Sequence, residues 1–276
     1  MTRPRILVTN DDGIDSVGLH VLARALTAIA DVTIVAPDEE YSGAGASIGP
    51  LHIMQPEVHR VAIQGVDTAW TVNGPPGLCV MFARLGAFGR LPDLLVSGIN
   101  PGANVGRSVY HSGTVGAGLT ARNGGVPSLA VSQSVVGFGV EGQGYDEMLA
   151  GQLWETAAEV AVVAAAAMLA DPPPDAAVLN LNVPNLPVAD IKGWRWTEVG
   201  QVPPRAMSRA VLEPKAGHEG AYKVRLSWGD ERPQPAETDT GTVLADCVSA
   251  TWLSRITALD LDTPGVAAAL DALFER

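Results

Sequence analysis

Two adjacent carboxylates, Asp11 and Asp12, are the residues whose types and spacing predict chemistry most directly. They follow an apolar run, Ile6–Val8, and stand between Asn10 and Gly13. Neighbouring carboxylates repel each other at neutral pH, and a shared divalent cation that prefers oxygen ligands, such as Mg²⁺ or Mn²⁺, relieves that repulsion. Asn, Asp and Gly are also turn residues, so the motif alone leaves open a plain turn before a helix.

Polar residues also follow two later apolar runs of the chain. Ser42 and Gly43 lie in the loop after the second run, and Asn100 ends the third. If these runs are neighbouring parallel strands, their ends meet at one rim of the sheet, where open α/β sheets bind ligands. Ser42 offers a hydroxyl, and Gly43 allows the backbone to approach a ligand closely. Asn104 lies in the Gly- and Asn-rich loop that follows Asn100.

The segment Ser112-Gly113-Thr114 precedes small residues that are typical of a helix packed close to a sheet. This arrangement places backbone N–H groups and two hydroxyls at a helix N terminus, which favours binding of a phosphate or another anion. A Ser or Thr cap without any ligand is the alternative interpretation. His111, directly before this segment, is a candidate general acid or simply part of the turn.

The elements that must position these residues alternate between strand and helix patterns. Apolar runs predict strands at 6–8, 32–37, 92–100, 126–132 and 177–184, short antiparallel strands within 51–73, and later strands at 222–228 and 247–252. Periodic patterns predict helices at 17–29, 78–85, 115–120, 145–170 and 265–274. This order predicts an α/β fold, a Rossmann-like three-layer sandwich with a mostly parallel sheet, plus a C-terminal β-hairpin arm. We assign residues 1–190 to the catalytic core and 191–276 to the arm and closing helix, with a role in oligomerisation.

Composition and charge restrict the function further. The chain has 276 residues, 47% of them apolar, and a formal net charge of -12. That charge argues against binding a nucleic-acid polymer, whereas a metal could still carry the charge of a small phosphorylated substrate. Cys79 and Cys247 lie far apart without metal-ligand spacing, so we expect both to be core residues. We find no signal-peptide pattern and no apolar stretch of membrane-spanning length, and we expect a cytoplasmic protein that does not bind membranes.

Seven motifs stand in a characteristic order: Asn10-Asp11-Asp12-Gly13, Ala36-Pro37 with Ser42-Gly43, Pro92–Asn100, Gly102–Gly106, Ser112–Val115, Leu179–Pro184 and Thr238-Asp239. Each motif is weak alone, but the ordered set is specific and extends from residue 5 to about residue 255. In this set the sequence resembles the SurE family, the stationary-phase survival protein nucleotidases. His111 is a departure, because the family often has Tyr at that position.

The resemblance implies a metal-dependent phosphomonoesterase that hydrolyses nucleoside 5′- and 3′-monophosphates, with some activity on short polyphosphate. Asp11, Asp12 and Asn100 would then be catalytic residues. The implied ligands of the divalent metal ion are Asp11, Asp12, Ser42 and Asn100. Substrate phosphate would contact Gly43, Asn104, Ser112, Gly113 and Thr114. The resemblance also implies a homodimer or homotetramer in which the C-terminal arm is exchanged between subunits.

Four other function classes make different demands on the sequence. A haloacid-dehalogenase-type phosphatase needs an Asp-x-Asp pattern, which the adjacent Asp11 and Asp12 do not form. A dinucleotide-binding dehydrogenase needs Gly-x-Gly-x-x-Gly after the first strand, and that motif is missing. A calcium-dependent nucleoside N-glycosidase, which would release free base, and a binding module that senses a nucleotide without turnover stay open as alternatives.

Overall fold

The computed structural model describes residues 3–51, 53, 55–135, 149–202, 207–230, 232–254, 256, 258 and 264–274. The strands are β1 (Arg5–Thr9), β2 (Asp31–Pro37), β3 (Val58–Ile63), β4 (Val66–Val72), β5 (Leu94–Pro101), β6 (Ser128–Gln133), β7 (Val178–Val183), β8 (Trp194–Trp196), β9 (Met207–Pro214), β10 (Tyr222–Trp228) and β11 (Val248–Leu253). The helices are α1 (Val17–Leu26), α2 (Pro76–Arg84), α3 (Gly113–Asn123), α4 (Trp154–Ala170), α5 (Asp239–Leu244) and α6 (Pro264–Phe274).

A nine-stranded sheet in the order β3-β4-β2-β1-β5-β6-β7-β11-β8 forms the centre of the fold. Its strands from β4 to β7 run parallel, whereas β3 and β11 pair antiparallel with their inner neighbours. Strands β9 and β10 form a separate antiparallel hairpin. The predicted mostly parallel sheet and C-terminal hairpin are therefore confirmed. The division at residue 190 stays a prediction, and strands β8 and β11, which follow it, continue the same sheet.

Helices cover both faces of the sheet because its central strands are apolar on both sides. In β1, Ile6 and Val8 pack into one core with α1 and α4, whereas Leu7 packs into the other core with α2 and α3. Both cysteines are free and buried, as predicted. The sheet is thus the middle layer of three, and β1 and β5 lie side by side at its centre.

Helix α4 begins later than the sequence pattern predicted. It starts at Trp154 instead of Tyr145, and residues 145–148 of the predicted helix lie outside the described residues. Two long-range contacts shape the chain just before it: Leu153 donates its N–H to Asn185 Oδ1 (2.9 Å), and its carbonyl oxygen accepts from Gln133 Nε2 (2.8 Å). Within the described ranges, no helix has both the length and the apolar character needed to cross a membrane.

Candidate active site

The turn after β1 is ordered by its own residues and by the start of the next loop. Asn10 is fully buried and donates its Nδ2 to the carbonyl oxygen of Gly13 at 2.9 Å. Gly13 has a φ of +91°, and a Cβ there would come within 3.1 Å of the Glu39 carbonyl oxygen. Only glycine therefore combines this left-handed backbone with the close approach of the loop that follows β2.

Asp11 is the centre of the site and contacts the N terminus of α3. Only 3% of Asp11 is exposed. Its Oδ1 accepts from Thr114 Oγ1 at 2.6 Å, and its Oδ2 accepts from the Gly113 N–H at 3.1 Å. Burial raises the pKa of the Asp11 carboxyl, and the hydrogen bonds from Thr114 and Gly113 oppose that rise. Asp12, the next residue, is half-buried.

The hydrogen bonds to Asp11 give the start of α3 a structural role besides the predicted binding of phosphate. Thr114 is fully buried, and its hydroxyl holds Asp11. Ser112 caps α3 by accepting the Val115 N–H at 3.1 Å, which is the capping role that the sequence left open as the alternative interpretation. Direct phosphate contact by Ser112, Gly113 and Thr114 stays a prediction. The structure does join the two features that the sequence presented separately, the acidic turn and the helix N terminus.

The loop after β2 carries Ser42 and Gly43 to the same rim. The Tyr41 N–H donates to the Asp11 carbonyl oxygen at 2.7 Å, so Ser42 follows directly after a residue bound to the acidic turn. Ser42 and Gly43 are exposed, and no heavy atom outside the adjoining residues lies within 4 Å of the position that a Cβ on Gly43 would occupy. This part of the rim is therefore open to a ligand.

Helix α3 also fixes the far end of that loop. The Gly45 N–H donates to the His111 carbonyl oxygen at 3.1 Å. A Cβ on Gly116 would lie 2.0 Å from the Gly45 carbonyl oxygen, so the helix and the loop touch backbone to backbone. His111 itself is exposed at this rim. The loop is therefore fastened at one end to the acidic turn and at the other to α3.

Asn100 reaches the site from β5, the strand beside β1. It is half-buried, and its Nδ2 donates to the Gly102 carbonyl oxygen at 2.7 Å, which orients the side-chain amide. The pairing of β5 with β6 is irregular between Ser97 and Asn100. This irregularity coincides with the point where the strand delivers Asn100 to the rim.

Asn104 lies deeper than a rim residue. Its Nδ2 donates to Ser132 Oγ at 2.9 Å, and its backbone N–H donates to Asn182 Oδ1 at 2.7 Å. Its carbonyl oxygen accepts from Asn180 Nδ2 at 2.9 Å. The contacts found for Asn104 are thus with the sheet, and its role toward substrate stays a prediction. Asn180 and Asn182 are two residues apart in β7, a spacing that places both side chains on one face of the strand, and from that face they hold this loop.

The donor set at the rim fits a hard divalent cation. Among the described residues, no group of three or more His, Cys, Asp and Glu side chains could hold a metal. The candidate ligands are instead two carboxylates, a hydroxyl and an amide, an oxygen set of the kind that Mg²⁺ and Mn²⁺ accept. Asp11 is a buried carboxylate whose hydrogen-bond donors are neutral groups. A bound cation would supply the charge compensation that such a group needs.

Comparisons with known proteins identify the family of this chain. The family model for survival protein SurE matches residues 6–205. A protein of Coxiella burnetii (strain RSA 331 / Henzerling II) named 5′-nucleotidase SurE is 35% identical over 255 residues, covering 90% of this chain and 88% of that protein. One of the same name from Alkalilimnicola ehrlichii is 35% identical over 266 residues, covering 92% of each. The crystal structure of the SurE protein from Aquifex aeolicus matches with a TM-score of 0.72 and 30% identity, over 98% of this chain and 99% of that chain. The chain belongs to the SurE family.

Proposed function

We propose that this chain is a metal-dependent 5′-nucleotidase that hydrolyses nucleoside 5′-monophosphates to nucleoside and phosphate. The observation that carries the proposal is the buried Asp11 carboxylate, bonded to Gly113 and Thr114 at the N terminus of α3. It combines a group suited to a cation with a helix end suited to an anion. The names of the Coxiella and Alkalilimnicola relatives support the same activity.

Asp11, Asp12, Ser42 and Asn100 would hold a Mg²⁺ or Mn²⁺ ion. A bound ion of this kind lowers the pKa of a bound water and neutralises charge on the phosphoryl group as the P–O bond breaks. Thr114 and Gly113 orient the Asp11 carboxylate and favour its ionised form, because both donate hydrogen bonds to it. These two residues therefore set the position of the central ligand.

The remaining rim residues act on the substrate. The N terminus of α3 carries a partial positive charge that attracts the phosphate dianion. Gly43 lets a phosphate oxygen approach the backbone of the loop after β2, where the structure is open. His111, exposed at the same rim, is our candidate for donating a proton to the nucleoside oxygen as it leaves. Water then supplies the fourth oxygen of the released phosphate.

We extend the proposal to nucleoside 3′-monophosphates and short polyphosphate. The groups assembled at the rim recognise a phosphoryl group, and none of the contacts above selects the 5′ over the 3′ position of a sugar. The cytoplasmic location expected from the sequence stays a prediction.

The C-terminal hairpin supports a second proposal, that two or more copies associate through this arm. Tyr222, Val224 and Leu226 alternate along β10, and Leu212 pairs with Val224 across the hairpin. These four side chains share one face, and each is between 47% and 63% exposed. Complete burial of a fully exposed apolar side chain contributes about 1.5–3 kcal/mol, so covering the exposed half of each of these side chains would contribute roughly half as much. The apolar face of the hairpin is therefore our proposed subunit contact.

Phosphate release tests the proposed activity. We would assay wild type, Asp11→Asn and the control Asp15→Asn on a panel of nucleoside monophosphates with Mg²⁺, Mn²⁺ or chelator. Asp15 is an exposed acid of the same turn and lies outside the proposed ligand set. We expect metal-dependent release in wild type and Asp15→Asn, and none in Asp11→Asn. Nucleotide binding without turnover under every metal condition would instead favour a sensor.

A further inference from the structure

A second buried carboxylate, Asp239, stands at the start of α5. Asp239 is fully buried. Its Oδ2 accepts from the Gly106 N–H at 2.8 Å, and its Oδ1 accepts from the N–H groups of Gly200 (3.0 Å) and Thr240 (2.7 Å). Gly106 precedes Asp239 by 133 residues. One carboxylate therefore joins three segments of the chain that are distant in sequence.

The junction around this carboxylate is closely packed. A Cβ on Gly106 would lie 3.1 Å from the Gly200 carbonyl oxygen, and a Cβ on Gly200 would lie 3.2 Å from Asp239 Oδ1. Gly106 also has a φ of +54°, in the left-handed region that favours glycine. Gly106 is therefore restricted sterically as well as by its hydrogen bond to Asp239.

Gly106 begins the short 3-10 turn, Gly106–Tyr110, that leads into α3. Within this turn Ser108 Oγ donates to the Val105 carbonyl oxygen at 2.7 Å. The Ser112 N–H donates to the Ser108 carbonyl oxygen at 3.0 Å. Ser112 caps α3, whose first two residues bond Asp11. A continuous series of short contacts thus runs from Asp239 to Asp11.

We infer that Asp239 is a positioning residue for the active site: by fixing Gly106, it sets where the N terminus of α3 meets Asp11. The inference rests on the proposed function, because it assigns Asp239 to the geometry of that same site. A carboxylate suits this task because its two oxygens accept from several N–H donors at once, without needing a donor of its own.

Asp239→Asn selectively removes the hydrogen bond from the Gly106 N–H to the side chain of residue 239. The Asn oxygen can still accept from Gly200 and Thr240, whereas its NH₂ group would face the Gly106 N–H and could not accept from it. The matched control is Thr238→Ala. Thr238 caps the same helix by accepting the Gly241 N–H at 3.1 Å, and its side chain bonds to Pro235 and not to the turn at Gly106.

The experiment compares kcat and KM for a nucleoside monophosphate with hydrogen–deuterium exchange of peptides covering residues 105–116. We expect kcat/KM to fall at least about tenfold in Asp239→Asn and less than about twofold in Thr238→Ala, because small displacements of reacting groups have large effects on rate. Exchange across 105–116 should accelerate in Asp239→Asn and stay unchanged in Thr238→Ala. Gly106→Ala, which disturbs the same bond from the side of the turn, should reproduce both effects.

Equal activity and equal exchange in Asp239→Asn and Thr238→Ala would overturn the inference. If Asp239→Asn does not fold, Gly106→Ala decides the question by the same two measurements. If wild type itself releases no phosphate, the proposed function fails, and exchange at 105–116 still tests whether Asp239 fixes the turn.

Discussion

Gly113→Ala would place one methyl group directly against Asp11. The position of a Cβ on Gly113 lies 2.6 Å from Asp11 Cβ and 2.7 Å from Asp11 Oδ2. Carbon atoms in favourable contact lie about 3.5–4.0 Å apart, so either Asp11 or the start of α3 must move by about 1 Å. The Gly113 N–H that donates to Asp11 Oδ2 lies in the same displaced segment.

The expected size of this effect differs between stability and rate. Overpacking a well-packed site costs about 1–3 kcal/mol of the free energy of unfolding. The gain in helix propensity from Gly to Ala, up to about 1 kcal/mol, opposes part of that cost. A misplacement of about 1 Å at reacting groups can lower the rate about 100-fold. The substitution should therefore reduce activity far more than it reduces stability.

Gly118→Ala is the matched control on the same helix. A Cβ on Gly118 would lie 2.8 Å from Val178 Cγ1, so this substitution overpacks α3 against β7 instead of against Asp11. We would measure urea unfolding and phosphate release for both variants. We expect both variants to lose similar amounts of unfolding free energy, and only Gly113→Ala to show a kcat/KM about 100-fold lower. A Gly113→Ala enzyme with the activity of Gly118→Ala would refute this expectation.

Three further predictions follow from single contacts or exposed faces. Thr114→Val removes the hydroxyl that donates to Asp11, so it should lower the free energy of unfolding by about 1.5–3 kcal/mol and should also slow phosphate release. Thr120→Val removes a neutral hydrogen bond within α3 and should leave the rate of phosphate release unchanged. Burial raises the pKa of the Cys79 thiol, so a thiol-specific reagent at pH 8 should label it only after denaturation, and rapid labelling of the native protein would show that the thiol is accessible. Val224→Lys places a charge on the apolar face of the hairpin and should lower the mass measured by analytical ultracentrifugation, and an unchanged assembly would exclude that face as the subunit contact.

The central sheet could be predicted from the sequence because local pattern determines it. The run Ile6–Val8 and the strand ending at Asn100 are apolar on consecutive residues, as strands buried on both faces must be. The start of α4 could not be predicted in this way. Contacts of Leu153 with Gln133 and Asn185, each at least 20 residues away, precede the helix, and no local pattern contains them.

In the candidate site, the residues could be recognised from the sequence, but the contacts between them could not. Asp11, Ser42 and Asn100 stand at strand ends and could be collected from sequence, and Ser112 could be recognised as a cap. The bond between Asp11 and Thr114 joins residues 103 positions apart, so residue types gave no signal that the helix start would hold the carboxylate. For Asp239, the Thr-Asp motif was the one available sign, and its partners become visible only in the fold.

Analysis of the reaction products tests whether this protein is a metal-dependent nucleotidase. Purified wild type would be incubated with a nucleoside 5′-monophosphate and Mn²⁺ or Mg²⁺, and the products followed by phosphorus NMR and chromatography. We expect nucleoside and inorganic phosphate in equal amounts, and no reaction in the presence of chelator. Release of free base, or a nucleotide that stays intact with every divalent metal, would contradict this activity.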